Sequence, residues 1–547
     1  MQLPVVDSME STQTALRGNA FIERFAAVFA GNRPPPRPLD DAQHQNILIP
    51  QMVGGELHWA VFGFLGVALE LRGAKVTATV CDAALPACVH RKIDHHEPAC
   101  TRWCLANAAP LAKAAGFRTL WHSQLIEPAI KAELAAIVQR TPPESIPEFV
   151  YKDIPVGSLV PESVENALKV AGFTLSNPTM RRSAYEFLLS GLMLVEIYER
   201  VIREHQIDKV VSDSGFLIDW GIPRLVARKH GIPVDVFNVG LRGQSIKSES
   251  DRPGFEPQTV PGWNRWRHEP LTPEQSHRLG TYLSRREVVP YEFKGEQWRG
   301  RISDDARVRE ILTLTETRDG LTFCMFPNVG FDAGKTAARP AFGAASDWVL
   351  ETIAFFARHP RHRLIVKIHP GELHRAALDP LADQIAARFR ELPSNVRIIP
   401  PDSGITAHSV LRLSDAALVY TSTVAAEAAA LGKPVVLTGG GRHAGRGVTT
   451  DIASPEDYWA LLTSCFRTNT PPPCDPELGR RYGYAVFFRA DVPITHFRML
   501  DVGVSRLEVE NIRALAPGQP ETDAAIDHLC NAILRAEALD GEQLLAA

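Results

Sequence analysis

What most constrains this chain is a rhythm that occurs twice: an apolar strand, a turn rich in glycine or hydroxyls, an apolar helix, then another apolar strand. In the first half, residues 46–50 read as a strand, 53–56 as a glycine turn, 57–71 as a helix and 75–81 as the next strand. A crossover long enough to hold a helix joins parallel strands, so this is a βαβ unit. After a long helix expected over 181–204, the rhythm resumes with a strand at 208–212, a helix near 220–230 and a strand at 232–237. The second half repeats it with strands at 321–326, 363–368, 396–399, 416–420 and 434–437, separated by helices over 346–358, 380–392 and 424–431. The expected fold is α/β, two tandem Rossmann-like domains facing an interdomain cleft.

A chain of 547 residues exceeds what one hydrophobic core supports. Residues 1–45 read as an N-terminal helix followed by a Pro-rich linker, 46–300 as the first Rossmann-like domain, 301–480 as the second and 481–547 as a C-terminal helical segment. The connection over 241–303, rich in Pro, Trp, Arg and Glu, holds a helix near 273–286 and the hinge. A net charge of −4 gives no electrostatic case for nucleic acid or an anionic membrane, so small-molecule chemistry is favoured. The longest strongly apolar run, 187–195, is far short of the ~20 residues that span a bilayer. The N-terminus carries no basic and apolar export pattern, and a cytoplasmic location is expected.

Chemistry concentrates where strands end. In open α/β sheets ligands bind beyond the carboxyl ends of strands, and Lys367, His369, Pro370 and Glu372 fall at such an end. Pro370 restricts His369 to an extended backbone, and a held imidazole can donate to a phosphate oxygen with Lys367 adding charge. At the next such end, Thr421, Ser422 and Thr423 open the helix over 424–431, where hydroxyls and unpaired amides suit an anion. Glu427, one turn in, could accept ribose hydroxyls. Capping alone would also account for Ser422 or Thr423.

The run Lys367, Ile368, His369, Pro370, Gly371, Glu372, followed by YTSTVAAEAAALGKPVV at 420–436 and GRGVT at 445–449, resembles bacterial capsule polysaccharide biosynthesis proteins. These include GT-B glycosyltransferases related to Kdo and sialic acid transferases. The stretch FPNVGFDA at 326–333 is similar to the same group. The resemblance covers 320–465 and extends to 46–104. It implies a GT-B-like fold and a metal-independent glycosyltransferase of cell-surface polysaccharide, in which His369, Ser422 and Thr423 hold the donor's phosphate. A nucleotide-sugar donor, CMP-linked by analogy, and a glycan or glycolipid acceptor are then expected, with association at the inner membrane admitted. The paired-acidic acceptor motif of sialyltransferases is missing, and poly(glycerol phosphate) transferases use a similar His-Pro and Ser cluster with CDP-glycerol. A CDP-glycerol-type phosphotransferase, a nucleotide-sugar epimerase and a non-catalytic assembly scaffold remain alternatives.

On the acceptor side, Gly54 and Gly55 precede Glu56 and His58 at the first strand-to-helix turn, and Asp213 follows the strand at 208–212. Any of Glu56, His58 and Asp213 could take the proton of an acceptor hydroxyl; each could equally be a solvated helix-end residue. Cys81, Cys88, Cys100 and Cys104 form C-x6-C-x11-C-x3-C, with His90, His95 and His96 in the interval. Such a set suits a structural zinc ion or an iron–sulfur cluster, or is a chance grouping of buried thiols. Gly330, Gly334, Lys335 and Thr336 evoke a phosphate-binding P-loop but are one residue short of its spacing; Asp332 and Lys335 could still line the cleft.

Overall fold

The computed structural model describes residues 20–31, 33–38, 45–90, 100–250, 262–288, 302–314, 319–331, 340–374, 379–500, 503–537 and 539–545. The first sheet begins with β1 (Asn46–Met52), β2 (Lys75–Val80), β3 (Arg118–Trp121), β4 (Lys209–Asp213), β5 (Val234–Val239) and β6 (Ser245–Ser250). The second holds β7 (Thr322–Phe326), β8 (Arg363–Lys367), β9 (Val396–Ile399), β10 (Ala416–Val419), β11 (Val435–Leu437) and β12 (Thr450–Asp451). The chain then returns to the first sheet with β13 (Val492–Pro493) and forms a hairpin of β14 (Phe497–Leu500) and β15 (Gly503–Leu507).

Strand order explains where function can sit. The first sheet runs β3-β2-β1-β4-β5-β6-β13 and the second β9-β8-β7-β10-β11-β12. Both carry the doubly wound order, with the direction of winding reversing between β1 and β4 in one and between β7 and β10 in the other. The second sheet is parallel throughout, whereas β6 pairs antiparallel with β5 and β13. Every residue of β8 and β10 is buried, as expected for central strands covered on both faces.

Between β3 and β4 lies a helical block built on the helix Pro178–His205. Asn177 caps it, its side chain accepting from the amides of Thr179 at 2.9 Å and Met180 at 3.1 Å, while Pro178 supplies a preset φ at the first helical position. Its apolar face packs with the helices Val160–Leu168 and Leu217–Lys229 into one core.

At both ends of the described chain, segments pack on the first domain. Residues 20–29 are helical, and Phe21 and Phe25 enter the core beneath the first sheet; Phe25 meets the Trp59 ring edge-on at 6.1 Å. That expected helix thus shares its core with the first sheet. The segment from 481 holds strands as well as helices, and its helix Ala524–Arg535 packs on Phe64–Glu70 of the first domain. Among the described residues, no helix is long and apolar enough to cross a membrane.

Candidate functional site

The turns beyond β7, β8 and β10 converge in the second domain. Asn328, just after β7, donates from Nδ2 to Thr421 Oγ1 at 2.6 Å and accepts the Thr421 amide at 3.1 Å. The two loops of the switch point are thus clamped together by one side chain. Ser422 Oγ makes only a long 3.4 Å contact with the Val424 amide, and Thr423 does not cap its helix by side chain. Capping therefore does not use up these half-buried hydroxyls. The helix itself, Val424–Ala430, has seven residues, so the hydroxyls matter more here than a helix dipole.

His369 is held by its own turn. The Gly371 amide donates to His369 Nδ1 at 2.9 Å, which leaves the ring proton on Nε2 as the donor. Close approach requires glycine: a Cβ on Gly371 would stand 2.8 Å from His369 Nδ1 and 3.0 Å from Val329 Cγ2. Lys367 is buried at the end of β8, and Pro370 is buried beside it.

Two expected ligand-binding carboxylates are engaged elsewhere. Glu372 accepts the Leu381 amide at 3.0 Å at the start of the helix Leu381–Arg388. Burial, with Asp379 and Asp383 nearby, pushes it up to about 7, so it works as a helix-anchoring group. Glu427 is fully buried and paired with Arg286 through one oxygen and with His408 Nε2 through the other at 3.0 Å. Burial alone would raise its pKa, but Arg286 and His408 outweigh that and hold it at about 2. With both oxygens taken, the carboxylate pins the connecting helix Pro273–Val288 to the second domain instead of facing a ribose.

In the first domain, the turns beyond β1 and β4 meet at a second cluster. His58 Nδ1 lies 3.5 Å from Asp213 Oδ2, with the His58 side chain 8% and the Asp213 side chain 29% exposed. Burial, with His90 adding to it, pushes His58 down to about 3, so the imidazole is neutral; its ring stacks against Trp220 at 5.9 Å. Burial pushes Asp213 up to about 7, opposed only by the Ser214 amide. Glu56 is not in this pair: its Oε2 accepts the Val504 amide at 3.1 Å and fastens the C-terminal hairpin. Gln51 on β1 and Ser214 and Leu217 after β4 adopt φ of +53°, +34° and +59°, a left-handed backbone rare for such residues and concentrated at functional loops. Behind them, Asp219 accepts from Gln51 Nε2 at 3.1 Å and the Val89 amide at 3.2 Å, and burial raises it to about 6.

One helix joins the two clusters, and no sequence motif marks it. In Val160–Leu168, Ser163 Oγ accepts the Ile218 amide at 2.9 Å beside the Asp213 loop, and at the end of β10 burial, with the buried Glu165 adding to it, pushes the Tyr420 hydroxyl's pKa up. Asn166 Nδ2 donates to Phe331 O at 3.3 Å, and the Ala171 amide donates to Asp379 Oδ1 at 3.0 Å. Nor does the pattern around Asn328 mark it as a clamp; its position after the first strand of the second sheet is the one available signal. The phosphate-loop rival has a different explanation at its first residue, since a Cβ on Gly330 would stand 2.4 Å from Ala171 Cβ and keep the domains apart. Asp332 and Lys335 lie outside the described residues, as do His95 and His96.

Cys81, Cys88, Cys100 and Cys104 are free and partly buried. Among the described residues, no group of three or more His, Cys, Asp or Glu side chains is disposed to hold a metal ion.

The family described as capsule polysaccharide biosynthesis protein has a sequence model that matches residues 275–464. No curated protein matches the chain. Among solved structures, the chain is similar to the β-Kdo 2,4-transferase KpsC of Thermosulfurimonas dismutans, at 15% identity and a TM-score of 0.31, over 57% of this chain and 87% of that one. It is also similar to a UDP-GlcNAc 2-epimerase of Neisseria meningitidis bound to UDP-GlcNAc, at 10% identity and a TM-score of 0.23, over 80% and 97%. The S. aureus MnaA–UDP structure aligns at 11% identity and a TM-score of 0.29, over 90% and 96%. Residues 275–464, which contain the second sheet with the His369 and Thr421–Thr423 turns, carry the sequence pattern of the capsule polysaccharide biosynthesis family.

Proposed function

We propose that this protein is a glycosyltransferase of capsule-like polysaccharide synthesis, taking a sugar from a nucleotide donor to a hydroxyl of a glycan or glycolipid acceptor. The observation that carries the proposal is the set of turns clamped at the second switch point. Asn328 locks Thr421 in place, and the Gly371 amide fixes the His369 ring on the neighbouring turn of the same sheet. Such donors stabilise a phosphate that gains charge as the glycosyl bond breaks, and they need no reorganisation at that moment. The family pattern over the same residues supports a polysaccharide role. Asp213 is the base: its raised pKa suits removal of a hydroxyl proton near neutral pH, and His58 positions it. A CMP-linked donor is the analogue-based expectation, and metal-independent transfer follows if the His369 group alone holds the leaving phosphate.

Calorimetric titration of CMP, CDP, UDP and GDP into the wild type and His369→Ala tests this reading. One nucleotide should bind and lose about tenfold or more in affinity on removal of the imidazole, the loss of a charge-assisted hydrogen bond. The bound nucleotide then selects the sugar or glycerol donors to assay for turnover. Equal affinity in both proteins would remove His369 from the site.

A further inference from the structure

The first domain meets the second close to the donor turn. The helix Val160–Leu168 ends at Lys169, whose φ of +57° is a left-handed backbone rare for a lysine. On either side of that bend the chain bonds to the second domain. Asn166 Nδ2 donates to Phe331 O at 3.3 Å and its Oδ1 accepts from Lys169 Nζ at 3.3 Å, so both ends of the amide are used. Lys169 Nζ also stands 5.3 Å from the centre of the buried Phe331 ring, a cation–π contact. The Ala171 amide donates to both oxygens of Asp379, at 3.0 and 3.1 Å.

Two of these contacts fall on the loop that carries the donor clamp. β7 ends at Phe326, and Asn328, whose side chain makes both bonds to Thr421, stands halfway between that end and Gly330. Gly330 is packed on Ala171: a Cβ there would collide with Ala171 Cβ, although it would stand 3.4 Å from Ala171 Cα. Ala171, Gly330 and Asn328 line one pocket together. A short loop fixed at both ends leaves the residue between them little freedom, so docking of the first domain removes conformations that Asn328 would otherwise sample.

We infer that the segment from Asn166 to Ala171 of the first domain positions the donor clamp of the second, so that Asn328 holds Thr421 firmly only while this segment is docked. The inference rests on the reading of the Thr421 turn as the donor's phosphate site and adds the regulation of that site. Undocking frees the loop after β7, Asn328 releases Thr421, and the phosphate turn loosens. Donor binding and docking of the acceptor-side domain therefore favour each other, as linkage requires. Asn166 and Ala171 act through Asn328 and are positioning residues.

Moving one methyl group across the contact tests this. Gly330→Ala drives a methyl into Ala171, and its backbone lies outside the left-handed region, so alanine strains only the contact. Adding Ala171→Gly removes the opposing methyl and leaves the new Cβ at 3.4 Å from the Cα, an ordinary contact. Asn166→Ala breaks the bond to Phe331 without adding bulk and serves where the wedge prevents folding. Hydrogen exchange of the unliganded full chain reads the clamp at the Thr421 amide, which donates to Asn328 Oδ1, against the Thr438 amide, which donates to Val419 O in the same sheet. The Thr421 amide should exchange about tenfold faster in Gly330→Ala and in Asn166→Ala and return to the wild-type rate in Gly330→Ala with Ala171→Gly, while Thr438 holds throughout. A Thr421 rate unmoved in both single variants, or not restored by Ala171→Gly, would overturn the inference. So would equal acceleration at Thr438, which marks a general loosening of the sheet. Titration of CMP, CDP, UDP and GDP into the same proteins separates this inference from the donor reading. The affinity of the nucleotide that binds should fall about tenfold in the single variants and recover in the double one; affinity unmoved while Thr421 loosens would overturn the coupling. A wild type that binds none of the four removes the donor reading, and the exchange rates still decide whether the segment positions Asn328.

Discussion

At Asp213 a carboxyl that is ordinarily ionised above ~3.9 holds its proton to about 7, because burial penalises the charge and only one amide opposes it. His58 beside it is neutral across the same range, so the pair titrates through the carboxyl. If Asp213 is the base, kcat/KM should rise about tenfold per pH unit below 7 and level off above it, and Asp213→Asn should lose roughly 10²–10⁴ in rate at pH 8. The stability consequence has the opposite sign. A folded pKa above the unfolded value means that the native state holds an extra proton between about 4 and 7, so stability falls as pH rises through that window. Asp213→Asn should therefore melt no lower than wild type at pH 8, and higher if burial of the charge dominates. A variant that is both inactive and less stable at pH 8 would point to a structural carboxylate. Neither shifted pKa was legible in the sequence. Asp213 was visible only as an acid at a strand end, and its partner His58 is 155 positions away and meets it only through the order β1 beside β4.

The strand-turn elements of the second domain were the readable part of the chain. An apolar run such as 363–367 ending in a charge, a histidine and a proline announces both a buried strand and the point where it stops. β3, β6 and the two-residue β12 were not anticipated. They are short or polar, and β6, with the sequence SIKSES, pairs antiparallel at the edge region where no apolar run is demanded. The helix Val160–Leu168 was equally illegible as a site element, because its role comes from lying between two loops distant in sequence. Glu427 misled for a related reason: its place one turn into a helix was correct, but the chain brings Arg286 and His408 to both of its oxygens. The turn after β8 offers a test at this scale. Gly371→Ala puts a methyl 2.8 Å from His369 Nδ1, so the ring must rotate and the amide-to-Nδ1 bond must lengthen. Nucleotide affinity should drop about tenfold, comparable to losing one charged hydrogen bond, while the melting temperature changes little. Unchanged affinity would show that the imidazole's orientation is not set by this turn.

At the scale of the whole molecule, described segments from both sides of the second domain pack on the first domain. The helix at 20–29 and the segment from β13 to the helix Ala524–Arg535 share one core with β1, β2 and the helix Phe64–Glu70. Arg72 is the polar fastening inside that core: fully buried, it donates to Ala68 O at 2.9 Å, Leu515 O at 2.7 Å and Asp527 at 2.6 Å. Lys209 on β4 reaches Ile533 O and Asp235, a second tie from the same returning segment to the sheet. An arginine taken out of water needs these acceptors, and the backbone carbonyl of Leu515 needs a donor, so the returning segment and the first domain depend on each other. Arg72→Met keeps the volume of the side chain and removes the donors. The Asp527 carboxylate is about two-fifths exposed and can be rehydrated, which limits the loss to about 2 kcal/mol and roughly 5 °C in melting temperature. Because the acceptors left without their donor at Leu515 and Asp527 belong to the returning segment, limited proteolysis of the variant should cut first after residue 490. Nucleotide affinity at His369, in the other domain, should hold until that cut is made. Cleavage appearing first in the second domain, or a melting temperature equal to wild type, would mean that apolar packing alone secures the chain's return.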